Sequence, residues 1–460
     1  MNKTKTFAAF AAAALSLGML TACSDDTPSG DDTTGRTKLT VVGLLPGATE
    51  EAKAALDQQV ADFENQYPDI DVEWVEYEWK ATTFSADLAG GTLPDVFEIP
   101  LTDAQSLIAN SQIADMDSYV KAMPYGNDFN PGVLQYGLGP DGHIYAIPAK
   151  SIYGIGLHYN RTLFTQAGLD PDKPPTTWSE VREYAKKIAD AVPGVAGYAQ
   201  MATSNTGGWQ LTVATYARGG RMESVAADGT ATATVDNAAT KAALEFLKAM
   251  RWDDNSMGAE FNYDWGSINQ AFAAGQVAMY TSGQDVYTSL VQANGVDPDS
   301  YGLTTIPLEG ADSGVLGGGT LAAVNVKASD EVKDAAMKWI DYFYLGKYIS
   351  EDAAVATAQL QVANNQPVGT PELPIFTSAQ LDQYNRWIAP YVTVPLAQMK
   401  PFTDGIVGAQ PIAEPPVATQ DLYAALDPAV QAVLTDQNAD IDALLATANT
   451  AAQRAIDANS

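Results

Sequence analysis

The sequence predicts an α/β fold in which doubly wound, mostly parallel sheets form more than one lobe. Apolar, β-branched segments alternate with segments of helical periodicity along most of the chain, which is typical of parallel sheets covered by helices. The chain has 460 residues, more than one hydrophobic core usually serves. Hydrophobic residues make up 46% of the sequence, so there is enough apolar material for a large core and general disorder is excluded.

The first elements of the predicted sheet lie close together in the chain. The apolar run 39–45 predicts a strand, and the segment 49–63 has the apolar spacing of a helix. Apolar residues alternate with acidic ones over 70–74, which indicates a second strand. A short helix is predicted over 84–88 and a third strand over 94–99. The resulting order, strand–helix–strand–helix–strand, implies that the strands pair in parallel. Such sheets bind ligands beyond the carboxyl ends of their strands.

A second series of elements follows. The segments 144–148 and 152–159 are predicted to be extended. Thr177 begins a Thr-x-x-Glu capping box, which predicts a helix start. Ser329 is expected to cap an amphipathic helix, and the alanine-rich segment 422–459 is predicted to be helical.

Charge and composition exclude several classes of function. The chain carries 25 Lys and Arg against 56 Asp and Glu, a formal net charge of −31. This charge opposes binding to nucleic acid and to anionic lipid through a basic face. One cysteine excludes an internal disulfide framework, and with two histidines it makes a Cys/His metal site improbable. We therefore expect no metal and no cofactor.

The amino-terminal segment predicts export and lipid anchoring. A short basic start and the apolar run 7–20 are typical of a signal peptide, which we assign to residues 1–22. Leu-Thr-Ala before Cys23 resembles a bacterial lipobox, so Cys23 is expected to carry lipid, such as palmitate, at the outer face of the cell membrane. Residues 23–36 are polar and acidic and are predicted to be a flexible tether. The alternative is an ordinary cleaved signal with an unrelated cysteine.

Five motifs follow one another along the chain: GTLPDV at 91–96, GHIYAIP at 142–148, YNRTLF at 159–164 with PPTTWSE at 174–180, AFAAGQVAM at 271–279, and GGG at 317–319. Together they resemble the motifs of family 1 of the extracellular solute-binding proteins, which capture sugars for ABC importers and include maltose-binding protein. The matches span most of the chain after the tether.

The resemblance implies a two-lobe, periplasmic-binding-protein-like fold joined by a hinge of several segments, which closes on its ligand. One lobe would comprise residues 37–149 and 312–346, and the other residues 150–311 and 347–460. The implied hinge crossings lie near 148–153, 309–314 and 346–351. The implied function is capture of a carbohydrate, an oligosaccharide, by a monomer that delivers it to a membrane permease.

A sugar presents C–H faces that pack on aromatic rings and hydroxyls that need hydrogen-bonding partners. Trp79 follows the second predicted strand, and Glu98 and Asp103 flank the loop after the third. Tyr153 lies at the first implied crossing, and Phe402 is a further aromatic candidate.

The resemblance adds candidates from the rest of the chain. Trp209 opens a helix whose start faces the cleft in the family. Ser282 and Asp285 follow a strand and would face the cleft from the second lobe. Gly318 and Gly319 would let the backbone approach the ligand closely. Trp178, Trp265 and Trp339 are expected to be structural.

Other functions are not excluded by the residues. The sequence has no G-x-S-x-G, H-E-x-x-H or P-loop pattern, and the S-x-x-K match at 118–121 lacks its companion motifs. We therefore predict a protein that is not an enzyme. A surface-anchored glycoside hydrolase stays an alternative, because any two of the many carboxylates could form an acid–base pair. The second alternative is a solute-binding protein whose ligand is a peptide, a polyamine or an iron complex.

Overall fold

A computed structural model describes residues 35–77, 81–226 and 230–459 of the chain. The segment from Thr37 to Ser460 forms one compact unit. The predicted signal peptide, Cys23, the tether as far as residue 34, and Trp79 lie outside the described residues.

The described strands form one eight-stranded sheet and a separate hairpin. They are β1 (Thr37–Leu44), β2 (Ile70–Glu76), β3 (Val96–Pro100), β4 (Ala146–Asn160), β5 (Glu223–Val225), β6 (Ala231–Ala233), β7 (Met279–Gly283), β8 (Tyr301–Thr305), β9 (Val315–Val324) and β10 (Pro411–Ala413). The order is β2-β1-β3-β9-β4-β7, with β10 beside β9 and β8 beside β4, while β5 pairs with β6.

Helices lie between these strands and after them. They are α1 (Glu50–Gln66), α2 (Ala81–Gly90), α3 (Ala104–Ala109), α4 (Asp117–Lys121), α5 (Pro131–Leu134), α6 (Arg161–Gln166), α7 (Trp178–Ala191), α8 (Thr206–Tyr216), α9 (Ala238–Trp252), α10 (Trp265–Ala273), α11 (Val286–Gln292), α12 (Asp330–Ile340), α13 (Gly346–Ile349), α14 (Glu351–Ala363), α15 (Ser378–Ile388), α16 (Leu396–Ile406), α17 (Thr419–Thr435) and α18 (Ile441–Asn459). A π-helical turn, Asp341–Leu345, joins α12 to α13.

The α/β class and the order of the first elements are confirmed. β1 pairs in parallel with β2 and with β3, as expected for strands linked by α1 and α2. The long strands β4 and β9 run antiparallel to their strand neighbours, except that β10 pairs in parallel with β9. The capping box at Thr177 is formed, and Ser329 caps α12.

Strand β4 changes partners along its length, just after the segment 148–153 that is predicted to be the first crossing. Residues 146–154 pair with β9, with irregular register between Pro148 and Tyr153. Residues 155–160 pair instead with β7 and β8. A single continuous strand therefore links the two parts of the sheet.

After the segment predicted to be the third crossing, the chain is still hydrogen-bonded to its first part. The Asn130 amide donates to the Ile375 carbonyl at 2.8 Å, and the Thr377 amide donates to the Asp128 carbonyl at 2.7 Å. These bonds tie the chain to its first part well after the predicted crossing at 346–351. Further along the chain, α16 packs against β8. The lobe boundaries and hinge crossings stay predictions.

Two features are absent from the described residues. Within residues 35–77, 81–226 and 230–459, none of the helices combines the length and apolar character needed to cross a bilayer. The same ranges contain no group of three or more His, Cys, Asp or Glu side chains that could hold a metal ion.

Candidate functional site

An aromatic cluster lies where β4 changes partners. Trp209, in the first turn of α8, packs edge-on against Trp265, the first residue of α10, with ring centroids 4.6 Å apart. Trp209 is 6% exposed, whereas Trp265 is 41% exposed. The Trp209 side chain also hydrogen-bonds to Tyr153 of β4. Burial raises the pKa of the Tyr153 phenol, and this hydrogen bond opposes part of the rise. The cluster therefore has an exposed aromatic surface supported by two more deeply placed rings.

Glycines and one carboxylate set the position of Trp209. Asp427 of α17 accepts hydrogen bonds from the amides of Asn205 at 2.8 Å and Gly208 at 2.7 Å, just before the tryptophan. A side chain at Gly208 would place its Cβ 2.2 Å from the Tyr423 carbonyl oxygen. Only glycine therefore allows α8 and α17 to approach so closely. This approach brings Trp209 beside the residues around Tyr423.

Glu414 is the main site residue that the sequence did not predict. It follows β10, and its Oε1 accepts a hydrogen bond from the Tyr423 hydroxyl at 2.9 Å. Burial raises the pKa of Glu414, while hydrogen bonds from Tyr423 and Trp209 act in the opposite direction. The negative charge of Glu414 in turn raises the pKa of Tyr153, after the larger effect of burial. Glu414 is therefore part of the aromatic cluster.

Asp285 approaches the same cluster from the end of β7. Its charge also raises the pKa of Tyr153. The Asp285 residue is exposed, yet desolvation by the surrounding protein raises its own pKa. A Cβ added at Gly283 would lie 2.2 Å from Asp285 Oδ1 and 3.6 Å from Cδ2 of the Tyr153 ring, so the carboxylate and the ring flank the same glycine. Asp285 and Glu414 thus lie beside the aromatic cluster, and we refer to these residues together as the candidate cleft.

The consecutive glycines of β9 lie directly against the Tyr153 ring. Gly318 is the strand partner of Tyr153, and a Cβ at Gly318 would lie 2.4 Å from the Cε1, Cζ and Oη atoms of that ring. Gly319 has a φ of 143°, which favours glycine. The sequence led us to expect a ligand close to Gly318, but in this structure the group beside it is the Tyr153 ring.

Other predicted residues lie elsewhere. Ser282 is fully buried, and its carbonyl oxygen is 3.2 Å from Nε2 of the buried His158. Phe402 is also fully buried, in the main hydrophobic core, so its ring does not line a solvent-filled cleft. Because the cleft needs accessible side chains, the placement of Ser282 and Phe402 opposes both predictions.

Glu98 lies within β3, and Asp103 follows that strand. Glu98 Oε1 lies 2.6 Å from Lys150 Nζ and accepts a hydrogen bond from the Tyr344 hydroxyl at 3.0 Å. Asp103 precedes α3 and accepts a hydrogen bond from Thr102 at 3.4 Å. Their part in ligand binding stays a prediction. The structure brings together Tyr153, Trp209, Asp285 and Gly318 from the predicted set, and adds Glu414 and Trp265.

The fold is similar to that of solved binding proteins. A cyclic α-maltosyl-1,6-maltose-binding protein from Arthrobacter globiformis has a TM-score of 0.66 at 21% identity, covering 92% of this chain and 100% of that one. UgpB from Mycobacterium tuberculosis, in complex with glycerophosphocholine, has a TM-score of 0.62 at 19% identity, covering 92% of this chain and 99% of that one. At these identities the likeness confirms the two-lobe binding-protein fold.

The relatives found by sequence match a smaller part of this chain than the solved structures do. The sn-glycerol-3-phosphate-binding protein UgpB of Brucella abortus is 42% identical over 72 residues, which is 16% of this chain and 16% of that protein. UgpB of Salmonella typhimurium is 26% identical over 310 residues, covering 62% of this chain and 66% of that protein. The sequence profile of the bacterial extracellular solute-binding proteins matches residues 47–345. Because that match covers more than half of the chain, the protein belongs to the bacterial extracellular solute-binding protein family.

Proposed function

We propose that this protein captures an uncharged carbohydrate, an oligosaccharide, and delivers it to the permease of an ABC importer. The observation that carries the proposal is the aromatic cluster, in which the exposed Trp265 packs on Trp209 and the Tyr153 ring lies beside Asp285 and Glu414. Aromatic rings pack on the C–H faces of sugars, and carboxylates accept hydrogen bonds from hydroxyls. Capture, closure and release require no catalytic step, and we propose that the protein acts as a monomer.

The charge of the cleft favours a neutral solute over glycerol phosphate, which gives the curated relatives their name. No Lys or Arg is among the groups that shift the pKa of Asp285 or Glu414 in the described part of the chain. A phosphate carries about −1.5 to −2 charges at neutral pH. Two like unit charges about 5 Å apart repel each other by roughly 3 kcal/mol at the effective dielectric constant of a protein surface. The two carboxylates therefore disfavour a phosphate beside them.

A thermal-shift screen of Thr37–Ser460 tests this proposal. We expect a neutral oligosaccharide to raise Tm, since a ligand at about 100 times its Kd adds roughly 2.7 kcal/mol of stability. Glycerol 3-phosphate and glycerophosphocholine should leave Tm unchanged, as should peptides and polyamines. The Asp285→Asn variant serves as the control for charge, because it should bind a neutral sugar more weakly without gaining stability from peptides.

Each other outcome of the screen has a defined meaning. A shift with glycerol 3-phosphate alone would contradict the choice of a neutral solute and keep the capture function. A shift with peptides or polyamines alone would contradict the carbohydrate. Turnover of a glycan by the pure protein would contradict the proposal of a non-catalytic binder and favour the glycoside hydrolase.

We also propose that lipid on Cys23 anchors the protein to the outer face of the membrane. The support is the Leu-Thr-Ala-Cys sequence after the apolar run 7–20. In cells labelled with an alkyne fatty acid, we expect the full chain to carry label and to sediment with membranes. The Cys23→Ser variant should lose both properties, and label on that variant would contradict the assignment.

A further inference from the structure

A second concave site lies away from the cleft. A groove of about 550 Å³, open to solvent on one side, is lined by α15, α16 and the segment 369–376 that precedes α15. We refer to it as the cavity. Tyr153, Trp209, Asp285 and Glu414 are not among its lining residues. Its volume falls within the range of about 300–1,000 Å³ that is usual for small-molecule sites.

The cavity lies at the junction of two hydrophobic clusters. Tyr348 and Phe376 in its wall belong to the main core of the protein. Ile388, also in the wall, belongs to a small separate cluster with Ala354, Ala358 and Val368. Tyr384 packs against both clusters, with its ring centroid 5.2 Å from that of Tyr348. The junction is thus lined by rings and aliphatic side chains that do not fill it.

The two walls of the cavity are held by different parts of the fold. The segment containing Phe376 is hydrogen-bonded to residues 128–130, in the first part of the chain. The opposite wall includes Leu396 and Thr403 of α16, and α16 packs against β8. Because each wall is fixed by its own neighbours, the gap cannot close by a small movement of one side chain.

The few polar groups of the wall define what could bind. The hydroxyl of Thr370 is buried and, among the described residues, has no hydrogen-bond partner. Glu372 accepts a hydrogen bond from the Tyr348 hydroxyl at 2.6 Å and lies 3.6 Å from Lys347 Nζ. Lys400 is paired with Asp404 at 2.7 Å. The wall charges are thus paired, and the buried hydroxyl of Thr370 is left for a ligand.

We propose that this cavity binds an uncharged, ring-bearing amphiphile with one hydrogen-bonding group, a class of solute distinct from a carbohydrate. The ring system packs among Tyr348, Phe376 and Tyr384, and the polar group pairs with the hydroxyl of Thr370. A sugar does not suit this site, because each buried hydroxyl without a partner carries a desolvation cost of about 1–3 kcal/mol. Apolar burial, in contrast, stabilises a complex by roughly 25 cal/mol per Å².

The test uses N-phenyl-1-naphthylamine, a neutral fluorescent probe with two apolar ring systems and one N–H donor. Titrated into Thr37–Ser460, it should bind at one molecule per chain, with a blue shift and increased emission. Ala389→Phe and Ala397→Phe each add a ring at the wall of the cavity and should weaken binding at least tenfold. Thr370→Val should weaken it severalfold because it removes only the hydroxyl.

Matched controls separate this site from the cleft. Trp265→Ala alters the cleft and should leave the affinity for the probe unchanged. Circular dichroism shows whether each of the two filling variants folds. If one of them does not fold, the other one still tests the proposal. Absence of saturable binding, equal affinity in a folded filling variant, or loss of binding in Trp265→Ala would each overturn the proposal.

Discussion

Replacing Trp209 with alanine is expected to remove most of the affinity for solute and to destabilise the protein by about 3–5 kcal/mol. The ring is 6% exposed, so its loss leaves a cavity beneath Trp265 and Tyr153. Without that support the exposed Trp265 ring loses its fixed position, and the Trp209 hydrogen bond to Glu414 is lost as well. We expect Kd to rise at least tenfold, measured by isothermal titration with the sugar found in the thermal-shift screen.

Trp252→Ala is the matched control for this prediction. Trp252 is also partly buried, and its indole N–H donates to the Val433 carbonyl at 2.8 Å. It lies at the end of α9 and is not a member of the aromatic cluster. Its replacement should lower Tm but leave Kd unchanged. Equal losses of affinity in the two variants would mean that Trp209 acts through general stability and does not shape the cleft.

Gly318→Ala is expected to produce the second large effect. The added Cβ would lie 2.4 Å from three atoms of the Tyr153 ring, a distance that requires the ring or the strand to move. β9 lies between β3 and β4, so it has little freedom to shift. Overpacking of this kind usually costs about 1–3 kcal/mol. We expect a decrease of this size in the free energy of unfolding, measured with urea, together with loss of solute binding.

A double variant separates the clash from other effects of the substitution. If the Tyr153 ring is the obstacle, Gly318→Ala combined with Tyr153→Ala should be more stable than the sum of the single changes predicts. Gly346→Ala is the control, since its added Cβ would have its nearest neighbour at 3.7 Å. Additive effects in the double variant would contradict the proposed contact between Gly318 and Tyr153.

The sequence predicted those parts of the fold that depend on local periodicity. The alternation over β2 and the helical spacing of α1 are local signals, and both elements form where they were expected. Tyr153, Trp209 and Asp285 could be nominated because motifs place them relative to the strands. Their contacts could not be predicted, because Asp427 and Tyr423, which position Trp209, lie more than 200 residues further along the chain.

Glu414 and Phe402 show where local signals fail. Glu414 follows a three-residue strand and precedes two prolines, so neither helical nor strand periodicity marks it. Phe402 follows Pro401, which suggests the end of a helix, yet α16 continues through this proline and buries the phenylalanine. Trp265 was expected to be structural because it begins a helix, and only the packing of α8 beside it reveals its exposed surface.

The place of β9 in the sheet affects how the chain can fold during synthesis. Val315–Val324 lies between β3 and β4, although both of those strands precede it by more than 150 residues. A growing polypeptide therefore cannot complete its central sheet until Val324 has been made, and pairing between such distant segments is slow. Until then the inner edges of β3 and β4 have no partner. Delayed closure of this kind keeps the nascent polypeptide unfolded for longer, which would suit the export predicted from the amino-terminal segment.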